Sequence, residues 1–266
     1  MRPALIPTLA WVAVFTAMWG VIEHLGLGFG PDISLQQVVV MRYGVHLALI
    51  LAFCLLLRRS GFMKSKHLAL QLLRGACMFV MPASFIMLTT GAGAANLWSV
   101  FWVMPIIVCL LAALWLGERV TPIKWLWAFV GYIGALMVLG VNYARLDAAA
   151  MMPLAGAISF AAYIVISRRI REEPVLTSLF YTGLVAFLCM LPWALTLWQP
   201  VPVDSYWRVL AVGAVGLVML LALERTLHLM SAASVAPLLF GALGSEILIE
   251  IARSGDLPSR RVFAGA

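Results

Sequence analysis

Apolar stretches of 17 or more residues recur along the whole chain, separated by short polar turns, and no other sequence feature restricts the fold so tightly. A helix of that length, rising 1.5 Å per residue, crosses a hydrocarbon core of about 30 Å. Lipid offers no partner for backbone N–H and C=O groups, so only helices or closed barrels can span it. Barrel strands alternate polar and apolar residues over about ten positions. The run "PIIVCLLAALWLG", residues 105–117, is instead apolar on every face. The expectation is an all-α, polytopic membrane helix bundle with nine complete transmembrane helices. These are predicted at residues 5–27, 38–57, 68–90, 96–116, 123–141, 148–167, 175–198, 207–223 and 232–251.

Composition agrees: 64% of residues are hydrophobic and 11% charged, against about a quarter charged in soluble domains. The net charge of +7 then reflects basic loops on one side of a membrane and not a nucleic-acid partner. Twelve of the 18 basic residues fall on one side when alternate loops are sorted: Arg2, Arg58, Arg59, Lys64, Lys66, Arg74, Arg119, Lys124, Arg168, Arg169, Arg171 and Arg225. That bias predicts a cytoplasmic N-terminus. The opening "MRPALIPTLAWVAVFTAMWG" lacks a small-residue cleavage site and reads as a first membrane helix, not a removable signal. Cys54, Cys77, Cys109 and Cys189 stand singly in apolar stretches, which implies neither a disulfide nor a metal site.

An internal repeat organises the chain. "GERVTPIKWLWA", residues 117–128, aligns without gaps with "GDLPSRRVFAGA", residues 255–266, and Ala95 and Ala233 stand equally far before Glu118 and Asp256. Five helices per half is an odd number, so the second half enters the membrane inverted. The expected units are residues 1–146, holding helices one to five, and 147–266, holding helices six to nine with the tenth cut short.

With Trp19-Gly20 in helix one, Arg42 in helix two, "MPIIVCLLAALWLGERVTP" through helix four and "AASVAPLLF" opening helix nine, the chain resembles the EamA-type exporters of the drug/metabolite transporter superfamily. The resemblance implies secondary transport of small metabolites or drugs across a bacterial cytoplasmic (inner) membrane, usually export, through a cavity between two five-helix inverted repeats. It assigns structural roles to Trp19, Gly20, Pro105, Gly117, Glu118, Pro237 and Asp256. Departures from the family pattern are Leu243 in place of Pro, Asp256 in place of Glu, and Glu246 and Glu250 in a normally apolar stretch.

Ionisable groups inside a span need a partner or a function. Glu23, Arg42 and Glu246 are expected at similar depth, with His46 one turn deeper than Arg42 on the same face, all four lining the outer half of a water-accessible cavity, with one carboxylate exchanging a proton during transport. The alternative is a Glu23–Arg42 ion pair that joins two helices. Trp102 can offer an aromatic face to a substrate, whereas Trp98 is read as an interfacial belt residue. Pro105 is read as a mid-helix kink and Glu118 as a turn residue stabilised by Arg119 and the following helix N-terminus. His24, His67 and His228 have no clustered ligand partners, so neither a metal nor a cofactor is called for. Three functional classes stay open. A secondary transporter, with substrate, lipid and a homodimer compatible with it, stands beside a transport-inactive chain needing a missing helix. A membrane-embedded enzyme lacks any HExxH, Gly-x-Ser-x-Gly or phosphate-cradling motif.

Overall fold

The computed structural model describes residues 5–29, 33–89, 94–139, 151–255, 257 and 259–265. All regular structure among them is helical: α1 (Leu5–Leu27), α2 (Leu35–Leu56), α3 (Leu68–Thr89), α4 (Ala94–Phe101), α5 (Met104–Leu116), α6 (Pro122–Leu139), α7 (Met151–Arg169), α8 (Val175–Leu195), α9 (Tyr206–Leu229), α10 (Ala232–Val235), α11 (Gly241–Ser254) and α12 (Arg260–Gly265), with 3-10 turns at Val203–Ser205 and Ala236–Phe240. Nine spans among the described residues are long and apolar enough to cross a bilayer. Large apolar side chains such as Leu55, Leu114, Ile133 and Leu248 lie exposed on the perimeter, which a bilayer covers and water would not tolerate.

Several boundaries differ from the sequence expectation for physical reasons. α2 begins at Leu35, three residues early, because the Ser34 hydroxyl caps it by accepting from the Gln37 N–H. α9 runs six residues past Leu223, since Glu224, which looks like a helix-ending charge, is neutralised inside the bundle. The fourth span is broken at Trp102–Val103, so Pro105 does not kink a continuous helix but stands in the first turn of α5, where its missing N–H costs nothing. The ninth span is broken likewise at Ala236–Phe240, with Pro237 opening the 3-10 turn. Asp256 lies outside the described residues.

The two halves are interleaved. α1 packs most heavily on α9, and α3 on α7; α2 packs on α9 as α8 packs on α3; α1 lies against α11 as α7 lies against α5; and α2 and α8 pack on each other. Each pairing recurs with the halves exchanged. Side chains follow suit: a Cβ on Gly75 of α3 would overlap Val185 of α8, and one on Gly213 of α9 would overlap Val45 of α2. These contacts hold the helices at small-residue distance, as is common in lipid, where packing substitutes for the hydrophobic effect. Gly213→Leu is expected to cost about 1–3 kcal/mol by overpacking, read as a lower midpoint of thermal unfolding in detergent; an unchanged midpoint would show that α2 and α9 can separate freely.

Gly117 and Gly255 both terminate their helices with left-handed φ values, +64° and +74°, a conformation glycine adopts without a Cβ penalty. They lie on opposite faces of the bundle. The Glu118 carboxylate accepts from the N–H groups of Ala232 and Ala233 at 3.2 and 3.0 Å, so Gly117 stands beside the start of the ninth span, and Gly255 ends that span on the far side. α12 packs against α6, where the backbones of Gly134 and Gly265 meet. The two interrupted spans also touch: the Trp102 and Phe240 rings, one at each break, stack 5.9 Å apart at 30°.

Candidate functional site

Two polar regions lie at different depths, joined by aromatic rings. The first is a cavity of about 460 Å³ in the half of the bundle toward the Gly255 face. Gly20, Glu23 and His24 line it from α1, Trp98 from α4, Trp102 from the break, Leu139 from α6, and Glu246, Ile249 and Glu250 from α11. A second cavity of about 280 Å³ shares Glu23 and Trp98 with it and extends to Arg42 of α2 and Pro82 of α3. Glu23 is therefore accessible from both. At 1.5 Å per residue, Glu23 lies about 6 Å and Glu246 about 12 Å from their helix ends on that face.

Three ion pairs join described residues, and Glu23 and Glu246 take part in none of them: Arg74–Glu224, Arg168–Glu118 and Arg253–Glu250. The alternative Glu23–Arg42 pair is thus not formed. The earlier start of α2 puts Arg42 about 10 Å from its helix end, deeper than expected. There the guanidinium lies 5.2 Å over the Tyr43 ring and against Gly216 of α9, its Nε without a hydrogen-bond partner. His46 is buried between α2 and α8, its Nε2 3.1 Å from the Leu179 carbonyl oxygen and its ring against Gly183; it lines neither cavity. Trp98, read from the sequence as a belt residue, lines both cavities and stacks on Phe85 at 4.2 Å.

The second polar region is buried toward the Gly117 face. Arg74 lies six residues into α3 and pairs with Glu224 of α9 at 2.7 Å; the two side chains are 0% and 1% exposed. Glu224 Oε1 also accepts from the Tyr163 hydroxyl at 3.0 Å and the Ser167 hydroxyl at 3.1 Å, both on α7. Arg74 donates further to Ser167 Oγ at 3.2 Å and to the Ser178 carbonyl of α8, and its guanidinium lies 5.4 Å over the Tyr163 ring. Four helices are thereby tied together with the charges compensated, which is what makes an intramembrane pair tolerable. In the sequence, Arg74 falls inside the predicted helix 68–90 but is sorted with the basic residues of one membrane face, and Glu224 stands one residue past the predicted helix 207–223. The clue is that Glu224 is followed by five more residues able to continue the helix.

Aromatic rings fill the space between. Trp19 lies 5.7 Å from Phe160 and 6.2 Å from both Phe101 and Trp102, and Phe160 stacks on Tyr163 at 6.0 Å and 5°. Trp19 and Trp102 are buried, so this layer closes the cavity floor. Gly20 fits against Ser245 and Glu246 of α11, bringing α1 and α11 close enough to face their carboxylates into one space.

Glu118 binds neither Arg119 nor the N-terminus of α6. It caps α10 through the Ala232 and Ala233 N–H groups and receives Arg168 Nε at 3.2 Å, while Arg168 Nη1 reaches the Leu227 carbonyl at 2.6 Å. Glu118→Ala is expected to destabilise the fold by about 0.5–2 kcal/mol through loss of the cap, measured by thermal unfolding; no loss would mean water replaces the carboxylate.

The sequence matches the EamA-like transporter family over residues 6–140, half of the chain. The chain belongs to that family. Among similar EamA-type proteins, the S-adenosylmethionine uptake transporter of Rickettsia prowazekii is 22% identical over 97% of this chain and 88% of its own length. The Rickettsia conorii protein of the same name is 22% identical over 77% and 70%, and the riboflavin transporter of Brucella anthropi is 25% identical over 57% and 54%. A solved crystal structure superposes with a TM-score of 0.81 at 17% identity, covering 97% of this chain and 93% of its own. The chain is a multi-pass membrane protein of a transporter family.

Proposed function

We propose that this chain is a secondary transporter of small metabolites, with a preference for solutes that carry positive charge. In this reading it resides in a bacterial cytoplasmic membrane with its N-terminus inside, and it is built from two oppositely inserted repeats, residues 1–146 and 147–266. The observation that carries the reading is the contrast between the two halves of the bundle. A cavity lined by Glu23, Glu246, Trp98 and Trp102 lies toward the Gly255 face, while the Arg74–Glu224 cluster and the aromatic layer fill the other half. Exchanging these two arrangements would expose the cavity to the opposite side. The recurrence of each helix pairing with halves exchanged supports such an exchange, because it gives both states equivalent packing.

Two carboxylates outside any ion pair, set beside tryptophan faces, suit an organic cation, held by Coulomb attraction and cation–π contact. S-adenosylmethionine, named for the Rickettsia relatives, carries a sulfonium cation. A proton on Glu23 or Glu246 would neutralise the site for return after substrate release, which couples the cycle to protons. The Rickettsia names support uptake as the direction, and the family resemblance supports export. Purified protein in liposomes, loaded with unlabelled S-adenosylmethionine and diluted into labelled compound, is expected to accumulate label. Accumulation no greater than in protein-free liposomes, for this cation and for riboflavin alike, would sink the transport reading. Accumulation of riboflavin alone would sink only the charge preference.

A further inference from the structure

We propose that the groove between α2, α8 and α9 at the Gly117 face is a binding site for an anionic phospholipid. The groove encloses about 790 Å³ and is separate from the cavities around Glu23. Its wall is apolar: Leu49 and Phe53 of α2 are exposed at its mouth, and Leu217 and Leu221 of α9 continue it inward. From Leu217 to Arg225 the groove follows eight residues of helix, about 12 Å, close to the roughly 15 Å depth of one leaflet's hydrocarbon. An acyl chain therefore fits along its length, opening sideways to lipid.

Charge decides the head group. Arg59 follows the end of α2, Arg171 follows the end of α7, and Arg225 stands in the last turns of α9; all three line one end of the groove and are exposed. None is in an ion pair among the described residues. Two carboxylates share this rim. Glu173 is occupied: its Oε1 accepts from Ser65 Oγ, the Lys66 N–H and the His67 N–H at 3.1, 2.7 and 3.1 Å, fastening the 57–67 loop. Glu172 is exposed and leaves the arginines in excess. His228 completes the rim, its Nδ1 2.7 Å from the Glu224 carbonyl oxygen. A phosphate bearing one net negative charge can reach several guanidinium groups at once, with its acyl chains in the groove below. A zwitterionic head brings its own ammonium into the same cluster and is repelled.

Each basic residue near an anionic lipid contributes about fivefold in affinity, so three contribute on the order of a hundredfold at low salt. The test is native mass spectrometry of the full chain in detergent, titrated with phosphatidylglycerol or with phosphatidylcholine of the same acyl chains. The parent is expected to prefer phosphatidylglycerol by tens of fold, with the preference shrinking at about 0.5 M salt. R59Q/R171Q/R225Q is expected to lose at least tenfold of it, and Leu221→Trp, which fills the groove, to weaken both lipids. Should the triple variant aggregate on size exclusion, Arg225→Gln and Leu221→Trp carry the test. Parental preference in the triple variant, or parental preference in Arg225→Gln together with parental affinity for both lipids in Leu221→Trp, overturns the proposal. So does displacement of phosphatidylglycerol by an equal concentration of glycerol 3-phosphate, which would mark a site for soluble anions.

Discussion

Arg74→Ala is expected to lower stability by about 3–5 kcal/mol, enough to abolish most folded protein in a detergent extract. The replacement removes the guanidinium that compensates Glu224 and leaves a carboxylate buried with only two hydroxyl donors, Tyr163 and Ser167. Glu224→Gln is the milder change, since an amide oxygen can still accept from those hydroxyls, but it strands the Arg74 cation in the bundle interior. The double variant Arg74→Met, Glu224→Met is the informative comparison. Removing both charges with side chains of similar bulk is expected to recover most of the lost stability, because the pair's attraction is largely offset by its desolvation. Thermal unfolding and size-exclusion yield measure all three. A single variant as stable as the parent would mean that the charge left behind, Glu224 in the first case and Arg74 in the second, finds water or another partner. A double variant that is stable but transports faster would identify the pair as part of the barrier toward the Gly117 face.

Glu246→Gln is expected to weaken accumulation of a cationic substrate by roughly 10–100-fold, the range for losing one charge-assisted contact. Binding and proton carriage separate by assay. If Glu246 only attracts the substrate, label exchange at equal substrate concentration on both sides falls in step with gradient-driven uptake. If it carries the proton, exchange persists while stimulation by an imposed pH gradient disappears. Glu23→Gln in the same two assays assigns the roles, since Glu23 reaches both cavities and Glu246 only the larger. Parental rates and parental response to a pH gradient in both variants would remove the cavity carboxylates from the transport cycle.

The helical membrane architecture is legible because run length and composition answer directly to bilayer thickness. Gly117 and Gly255 can be paired from sequence because glycine at a left-handed helix end leaves a mark there. Glu23 and Glu246 are identifiable by cost: a carboxylate in an apolar run requires a reason. Arg74 and Glu224 obey the same rule, yet each lies close to a predicted span's end, and only the packing of α3, α7, α8 and α9 reveals that four helices enclose them. His46 illustrates the converse. Its helical spacing from Arg42 suggests a shared lining, but side-chain direction and the gap left by Gly183 turn it toward α8. Glu118 likewise finds its partners across the chain, at Ala232 and Arg168, a contact no local pattern encodes.

The exchange of partners between halves also governs how the protein is made. α1, α2 and α3 take their principal neighbours from α7, α8, α9 and α11, so a ribosome releasing the N-terminal helices delivers them to the bilayer with their mating faces bare. Until α8 and α9 emerge, Gly75 has no Val185 to meet and Arg74 has no carboxylate. The first half therefore cannot complete its packing until the last third of the chain has been made.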